Sequence, residues 1–304
     1  DDIDESFDYV FIFPNRSLVA QDSENGSYGK EEEFVFICLK KLVELKNNNF
    51  QIHIILNQTQ QVFSTDTVQE KGAGIFGLVG TVAAEMPTWN FRVVDINENE
   101  PIDFEELATK IVQTSETLVA YRNGSFYKKL LSPIATLPTV SYSNRIRKNG
   151  TYVILGGAGG LGKITTEYLI NKYNAKVYWL GRRASDQTVE AGIEQFSGYE
   201  RKPVYIQCDA NKVEDIRAAF EQIKSGGEVI NGVIHSALVL EDKPFYAMSF
   251  SDFTKAFAPK STAVQNLVQV CGNELLDFMC FYSSIQGFFN GPGQANYAAG
   301  CTYK

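Results

Sequence analysis

Short apolar runs alternate with longer segments of helical period along the whole chain. In the first half, Tyr9–Pro14, Phe50–Leu56 and Phe91–Ile96 predict buried strands. Glu31–Lys46 predicts a helix, with Phe34, Phe36, Leu39, Leu42, Val43 and Leu45 apolar. Leu118–Tyr127 predicts a hairpin turning at Asn123-Gly124, a dipeptide that accepts positive φ at both central positions. Ser132–Gly150 carries two prolines, several hydroxyl residues and the basic run Arg145–Lys148, without a period, and predicts a connection. Beyond it the pattern restarts. Tyr152–Leu155, Lys176–Leu180, Val204–Gln207, Val233–Ala237 and Phe278–Ser283 predict five strands, with room for helices between them. The alternation predicts an α/β protein with mostly parallel sheets.

The stretch Gly156-Gly157-Ala158-Gly159-Gly160-Leu161-Gly162 follows the strand Tyr152–Leu155 and opens a helix running through Leu169. A backbone that turns tightly and presses against a pyrophosphate cannot carry Cβ atoms there, and the helix N-terminus offers N–H groups and a positive dipole. Gly156, Gly157, Gly159, Gly160, Leu161 and Gly162 are therefore candidate cofactor residues. Gly72-Ala73-Gly74-Ile75-Phe76-Gly77 spells the same GxGxxG, but the preceding Thr65–Lys71 is polar and makes no strand. It reads as small residues on a packed helix running toward Glu85. The expected organisation is two Rossmann-like subdomains. Residues 1–145 form a degenerate, structural one, and residues 146–304 form a nucleotide-binding parallel sheet with helices on both faces.

Composition narrows the partners. Of 304 residues, 44% are hydrophobic and 21% charged, with a net charge of −8. An acidic surface argues against a broad nucleic-acid or anionic-membrane footprint. No stretch reaches transmembrane length, and the acidic N-terminus lacks the features of a signal peptide. Five dispersed cysteines without a CxxC pair suit reduced thiols and a cytoplasmic location, and two histidines provide no multi-histidine metal centre.

Cofactor choice is set about 20 residues after the glycine turn. There the second strand ends in Gly181-Arg182-Arg183, with no acid to hold a ribose 2′-hydroxyl. Guanidinium groups suit a 2′-phosphate, so NADPH is expected, with Arg182 as the contact and Arg183 stacking on adenine. Asp209, after the third strand, is placed either to meet the adenine edge or to serve as an ordinary strand-end carboxylate. Ser284 ends the last strand and Tyr297 begins a helical stretch thirteen residues on, while Lys260 lies upstream on a helix leading to Leu267. Ketone reduction needs a proton donor for the growing alkoxide and a second donor to hold the oxygen. Tyr297, tuned by the Lys260 ammonium, and Ser284 would fill these roles.

With these residues in view, the chain resembles the ketoreductase domains of modular polyketide synthases, within the short-chain dehydrogenase/reductase superfamily. The likeness spans both halves. Gly77-Leu78-Val79-Gly80 through Glu85-Met86-Pro87, and Val94-Asp95, are similar to a recurrent stretch of the family's structural subdomain. Gly156, Gly160 and Gly162 match its TGxxxGxG turn, and Arg182 matches its NADPH-selecting arginine. His235-Ser236-Ala237 resembles the cofactor-lining "HAAG", while Lys260, Ser284 and Tyr297 match the catalytic lysine, serine and tyrosine. The lysine lies upstream of the tyrosine, as in this branch. The resemblance implies reduction of a β-ketoacyl chain carried on the phosphopantetheine of an acyl carrier protein, with neighbouring synthase domains as further partners. Leu240-Glu241-Asp242 looks like the "LDD" of B-type domains, which make the D-configured hydroxyl, and Phe289 stands where A-type domains carry tryptophan.

The departures are specific. Leu155 replaces the threonine before the glycine turn, which removes a hydrogen bond from that loop. Cys301 stands four residues after Tyr297, where many relatives carry asparagine, and the Gly300-Cys301 pair is similar to trans-acyltransferase synthases. The family continues past the position of Lys304 with more helix, strands and a lid, so the second sheet is expected to be incomplete at its C-terminal end. Two other readings remain: a catalytically inactive scaffold of the same fold, and a superfamily dehydrogenase acting on a free metabolite. Intact Ser284, Tyr297 and Lys260 weigh against the first, and the cofactor-free first half with the upstream lysine weighs against the second.

Overall fold

The computed structural model describes residues 9–14, 29–45, 49–134 and 145–304. They cluster into two compact units. One combines the chain up to Pro133 with Leu240–Phe257 and Ser283–Lys304. The other combines Ile134–Val239 with Ala258–Tyr282. Two segments of the second half therefore cluster with the first.

The first unit holds β1 (Tyr9–Ile12), α1 (Lys30–Glu44), β2 (Gln51–Asn57), α2 (Ile75–Glu85), β3 (Asn90–Ile96), α3 (Phe104–Gln113), β4 (Leu118–Arg122) and β5 (Ser125–Tyr127). The strands pair in that sequential order, β1 to β4 parallel and β5 antiparallel. The first strand stops at Ile12, short of Pro14, which has no N–H to give a ladder. The end of the expected first helix, Lys46, lies outside the described residues. The hairpin turns as expected, with Asn123 at φ 49 and Gly124 at φ 77. No sequence pattern announced α3, although Asp103 caps it, accepting from the N–H groups of Glu105 and Glu106 at 3.0 Å each. Ile52, Ile54, Leu56, Phe91 and Val93 pack with α1 and α2, whereas Val94 and Ile96 pack with α3. Covering both faces explains why these strands read as continuous apolar runs.

A doubly wound sheet takes ligands where its strand order reverses, outside the carboxyl ends of the strands. Among the described residues this sheet has no reversal, and a buried ion pair lies at the carboxyl ends of β3 and β4. Arg122, the last residue of β4, donates Nη2 to Asp95 Oδ2 at 2.7 Å, with both side chains fully buried. Its other donors reach the carbonyls of Asp95, Tyr121 and Gln60 and the Asp66 carboxylate. Thr59 donates N–H and hydroxyl to Asp95 Oδ1 at 2.6 and 2.8 Å.

The second unit holds β6 (Thr151–Leu155), α4 (Gly160–Tyr173), β7 (Lys176–Gly181), α5 (Gln187–Glu194), β8 (Val204–Gln207), α6 (Val213–Ser225) and β9 (Ile230–His235). Next in the chain come α7 (Phe250–Phe257, of the first unit), a 3-10 turn at Ala258–Lys260, α8 (Thr262–Cys271) and β10 (Phe278–Phe281). The order β10-β9-β6-β7-β8, all parallel, reverses between β6 and β9, the arrangement of a nucleotide-binding sheet. Tyr152, Ile154, Val177 and Trp179 pack with α4 on one face, while Val153, Leu155, Leu180 and Val233 pack with α6 and α8 on the other. Several boundaries differ from expectation, and β9 starts three residues before the expected Val233, at Ile230. β9 ends at His235, which leaves Ser236 and Ala237 in the loop beyond it, and β10 ends at Phe281, short of Ser283. Lys260 closes the 3-10 turn ahead of α8 instead of lying on a helix, because Pro259 cannot donate to an α-helical ladder. Finally, α9 (Gln286–Phe289) and α10 (Ala295–Tyr303) belong to the first unit. Among the described residues no helix is long and apolar enough to cross a membrane, and all five cysteines are free thiols.

Glu32 of α1 is fully buried, and its Oε1 accepts the Gly74 N–H at 2.8 Å. Burial pushes its carboxyl from 4.5 up to about 8, with the Gly74 bond opposing the shift. The folded state therefore holds the proton. The resulting stability is complete below the ordinary carboxyl value and is lost as pH rises toward 8. Glu32→Gln is expected to leave the Tm at about pH 5 nearly unchanged and to raise it by a few degrees at about pH 8. Thermal unfolding at the two pH values checks this, and an equal difference at both would reject it.

Candidate active site

Within the second unit, a cleft of about 500 Å³ opens at the strand-order reversal, lined by the glycine turn, Arg182, Arg183, Asp209, Ser236 and Ala237. Gly156 takes φ 83, and a Cβ on it would lie 2.7 Å from the Ala237 backbone. A Cβ on Gly162 would lie 2.5 Å from the Gly156 carbonyl. Both positions require glycine for the turn to close. Gly157 has a different part: its Cβ would strike Trp179 at 2.1 Å, and it does not line the cleft. Gly160 has no neighbour near its Cβ position, so the backbone there is open to a ligand. Gly159 gives α4 no side-chain cap, so the first N–H groups of a 14-residue helix are available to an anion. Leu161 is 51% exposed beside them.

Arg182 is exposed and has no ion pair among the described residues. Arg183 makes a long contact to Asp186 (3.8 Å), and its carbonyl accepts from the Tyr205 hydroxyl at 2.5 Å. Asp209 Oδ1 accepts the Asn211 N–H at 3.2 Å. The Ser236 hydroxyl is shared between the carbonyls of Leu155 (3.1 Å) and Gly156 (3.3 Å), so a neighbouring loop braces the turn that Leu155 cannot brace itself. His235 is fully buried and does not line the cleft. Its Nε2 lies 2.8 Å from the Pro259 carbonyl, an oxygen that can only accept, so this nitrogen carries the proton. The histidine thus fixes the turn that ends in Lys260, whose side chain is 1% exposed.

The first unit contains the other two candidates. Tyr297, on α10, is 8% exposed, and its phenol interacts with the Ser284 hydroxyl and with Cys301 one turn further along the helix. Burial holds the phenol above its ordinary value of 10, Cys301 and the Asp242 carboxylate add to this, and the Ser284 hydrogen bond pulls it down. The structure joins Ser284 to Tyr297 within one unit, whereas Lys260 belongs to the other. Phe289, on α9, is 64% exposed. Asp242 accepts from Gln294 Nε2 at 2.8 Å, immediately before α10.

What seats α10 is the first GxGxxG. A Cβ on Gly77 would lie 2.2 Å from the Ala298 carbonyl. The Gly77 N–H donates to the Thr302 hydroxyl, which in turn reaches the Gly74 carbonyl, both at 3.2 Å. Buried Asn296 donates to the carbonyls of Glu241 (2.9 Å) and Asp252 (3.1 Å), tying the helix start to the Asp242 loop. Sequence reasoning missed Thr302 and Asn296 as supports. The only available signal was the small-residue spacing on α2, which announces a close neighbour without naming it.

Fold and cleft together define a protein of the Rossmann type, with Ser284 in the loop after β10 bonded to Tyr297 on α10. A family model described as the KR domain matches residues 150–304. The chain belongs to this family, the ketoreductase domains of polyketide synthases, and is an oxidoreductase. It is 33% identical over 304 residues to the polyketide synthase PksN of Bacillus subtilis, covering 98% of this chain and 6% of that protein. To the synthase ThaG of Burkholderia thailandensis it is 30% identical over 259 residues, covering 85% and 5%. The chain thus spans only a small part of these relatives. Its fold matches a crystal structure of a ketoreductase domain from the bacillaene assembly line, with a TM-score of 0.79 at 20% identity, covering 100% of this chain and 75% of that one.

The charge at Asp242 yields a pH test. Removing it stabilises the phenolate of Tyr297, so the proton is lost more easily. Asp242→Asn is expected to move the alkaline fall in kcat/KM to lower pH. An unchanged or upward-moving limb in the pH–rate profile would detach Asp242 from the phenol.

Proposed function

We propose that this chain performs NADPH-dependent reduction of a β-ketoacyl group, carried by an acyl carrier protein within a cytoplasmic polyketide synthase, to the D-configured 3-hydroxyacyl product. The observation that carries the reading is the hydroxyl pair Ser284–Tyr297 on a chain that also has an uncapped, glycine-lined helix N-terminus. The neighbouring synthase domains would be its remaining partners, and the Gly300-Cys301 pair favours a synthase of the trans-acyltransferase type.

The residues present fit the cofactor. The open backbone at Gly160 and the uncapped N–H groups of α4 would hold the pyrophosphate, Arg182 the 2′-phosphate, and Arg183 the adenine face. When bound, the nicotinamide supplies a hydride to the ketone carbon. This chain's residues do the rest. Ser284 and Tyr297 hold the ketone oxygen as negative charge grows on it, and Tyr297 hands its phenolic proton to that oxygen. Lys260 lowers the cost of the phenolate left behind and binds the nicotinamide ribose. The Asp242 loop sets which face of the ketone is presented.

Tyr297→Phe is expected to lower turnover of a β-ketothioester by roughly two to four orders of magnitude while NADPH still binds. Full turnover would remove the phenol from the reaction. Arg182→Ala is expected to raise KM for NADPH about tenfold or more and to leave KM for NADH almost unchanged. Equal changes for the two nucleotides would remove Arg182 from phosphate selection.

A further inference from the structure

A carboxylate at the C-terminal end of a helix faces the negative end of the helix dipole, an unfavourable place unless other donors hold it. Glu85 is the last residue of α2, and its two oxygens are taken by two different loops. The Phe245 N–H donates to Oε2, and the Gly293 N–H donates to Oε1 at 2.9 Å. The Lys243 N–H closes the ring by donating to the Gly293 carbonyl at 2.8 Å. Two lysines add three further contacts to the Asp242–Phe245 loop. Lys40 Nζ donates to the carbonyls of Phe245 (3.2 Å) and Tyr246 (2.7 Å), and Lys243 pairs with Asp252 at 2.9 Å. Gly293 takes φ 84, a conformation that glycine adopts without strain.

The two loops bracket the active-site elements of this unit. Asp242 lies three residues before Phe245, and Gln294, which binds Asp242, follows Gly293 directly. Tyr297 begins three residues later. The Glu85 carboxylate, from a third element, thus joins the direct Gln294–Asp242 and Asn296–Glu241 bonds in holding the Asp242 loop to the start of the tyrosine helix.

We propose that Glu85 is a specificity-determining positioning residue: by clamping Phe245 and Gly293 it sets which face of the ketone meets the reductant. This rests on the β-ketoacyl reduction proposed above. Glu85 touches no reacting atom, so its loss should randomise stereochemistry more than it slows the reaction.

The test is chiral analysis of the 3-hydroxyacyl product made from a β-ketothioester and NADPH by the full-length protein. Wild type, Glu85→Ala, Glu85→Gln and Leu107→Ala are compared, the last being a core variant on α3 that lowers the Tm without touching either loop. Glu85→Ala is expected to erode the enantiomer ratio by about tenfold, with a smaller change in kcat. Glu85→Gln, which keeps one acceptor oxygen, is expected to fall between it and wild type and serves as the readout should the alanine variant not fold. Leu107→Ala is expected to keep the wild-type ratio. An unchanged ratio in the Glu85 variants, or equal erosion in Leu107→Ala, would overturn the proposal. Absence of any alcohol from the wild type would instead overturn the proposed function.

Discussion

Outside a strand ladder, a helix or tight turn can press its backbone face against another backbone only where a Cβ is missing, and this chain depends on that condition in two places. In one unit, Gly77 lets α2 lie against the Ala298 carbonyl, and the helix carrying Tyr297 is seated there. In the other, Gly156 and Gly162 let the turn after β6 close on itself and on Ala237. Any side chain at these positions would force helix or turn away by roughly an ångström. A displacement of that size is enough to disable a hydroxyl pair or open a phosphate cradle. The same GxGxxG spelling serves both purposes because glycine supplies only the approach, and the neighbour decides its use.

The difference between the two sheets follows from what stands at the carboxyl ends of their strands. The second sheet reverses its strand order and leaves a cleft there. The first runs in sequential order and fills the equivalent place with Arg122, Asp95 and Thr59. Such a pair contributes less stability than its Coulomb energy suggests, since both charges lose their hydration. Removal of either partner, however, would leave the other charge buried at a cost of about 3–5 kcal/mol. A sheet built this way supports its neighbouring helices and carries a buried ion pair at the ends of β3 and β4.

The strands, the hairpin at Asn123-Gly124 and the glycine turn were legible because each is governed by local sequence: alternation, positive φ and the exclusion of side chains. Helix α3 was not, since its apolar stripe is short and flanked by acidic residues, and only the cap at Asp103 marked it. His235 shows the limit for sites. Its position at a strand end suggested a cofactor contact, yet its ring is turned to the Pro259 carbonyl, a choice made by packing that no motif encodes. Gly157 likewise reads as part of the cradle but is glycine because Trp179 lies behind it.

The sequence alone determined the class of fold, the place of the glycine turn after β6, and the absence of an acid at the end of β7, and it named the candidate proton donors. These are properties of one segment at a time. Only tertiary structure decided that Leu240–Phe257 and Ser283–Lys304 cluster with the first half, that Glu85 holds two loops some 160 and 208 positions away, and that the Ser284 hydroxyl stands beside the phenol. Hydrogen bonds and packing between distant segments depend on distances that the order of residues does not encode, and the supports of the site are made of such contacts.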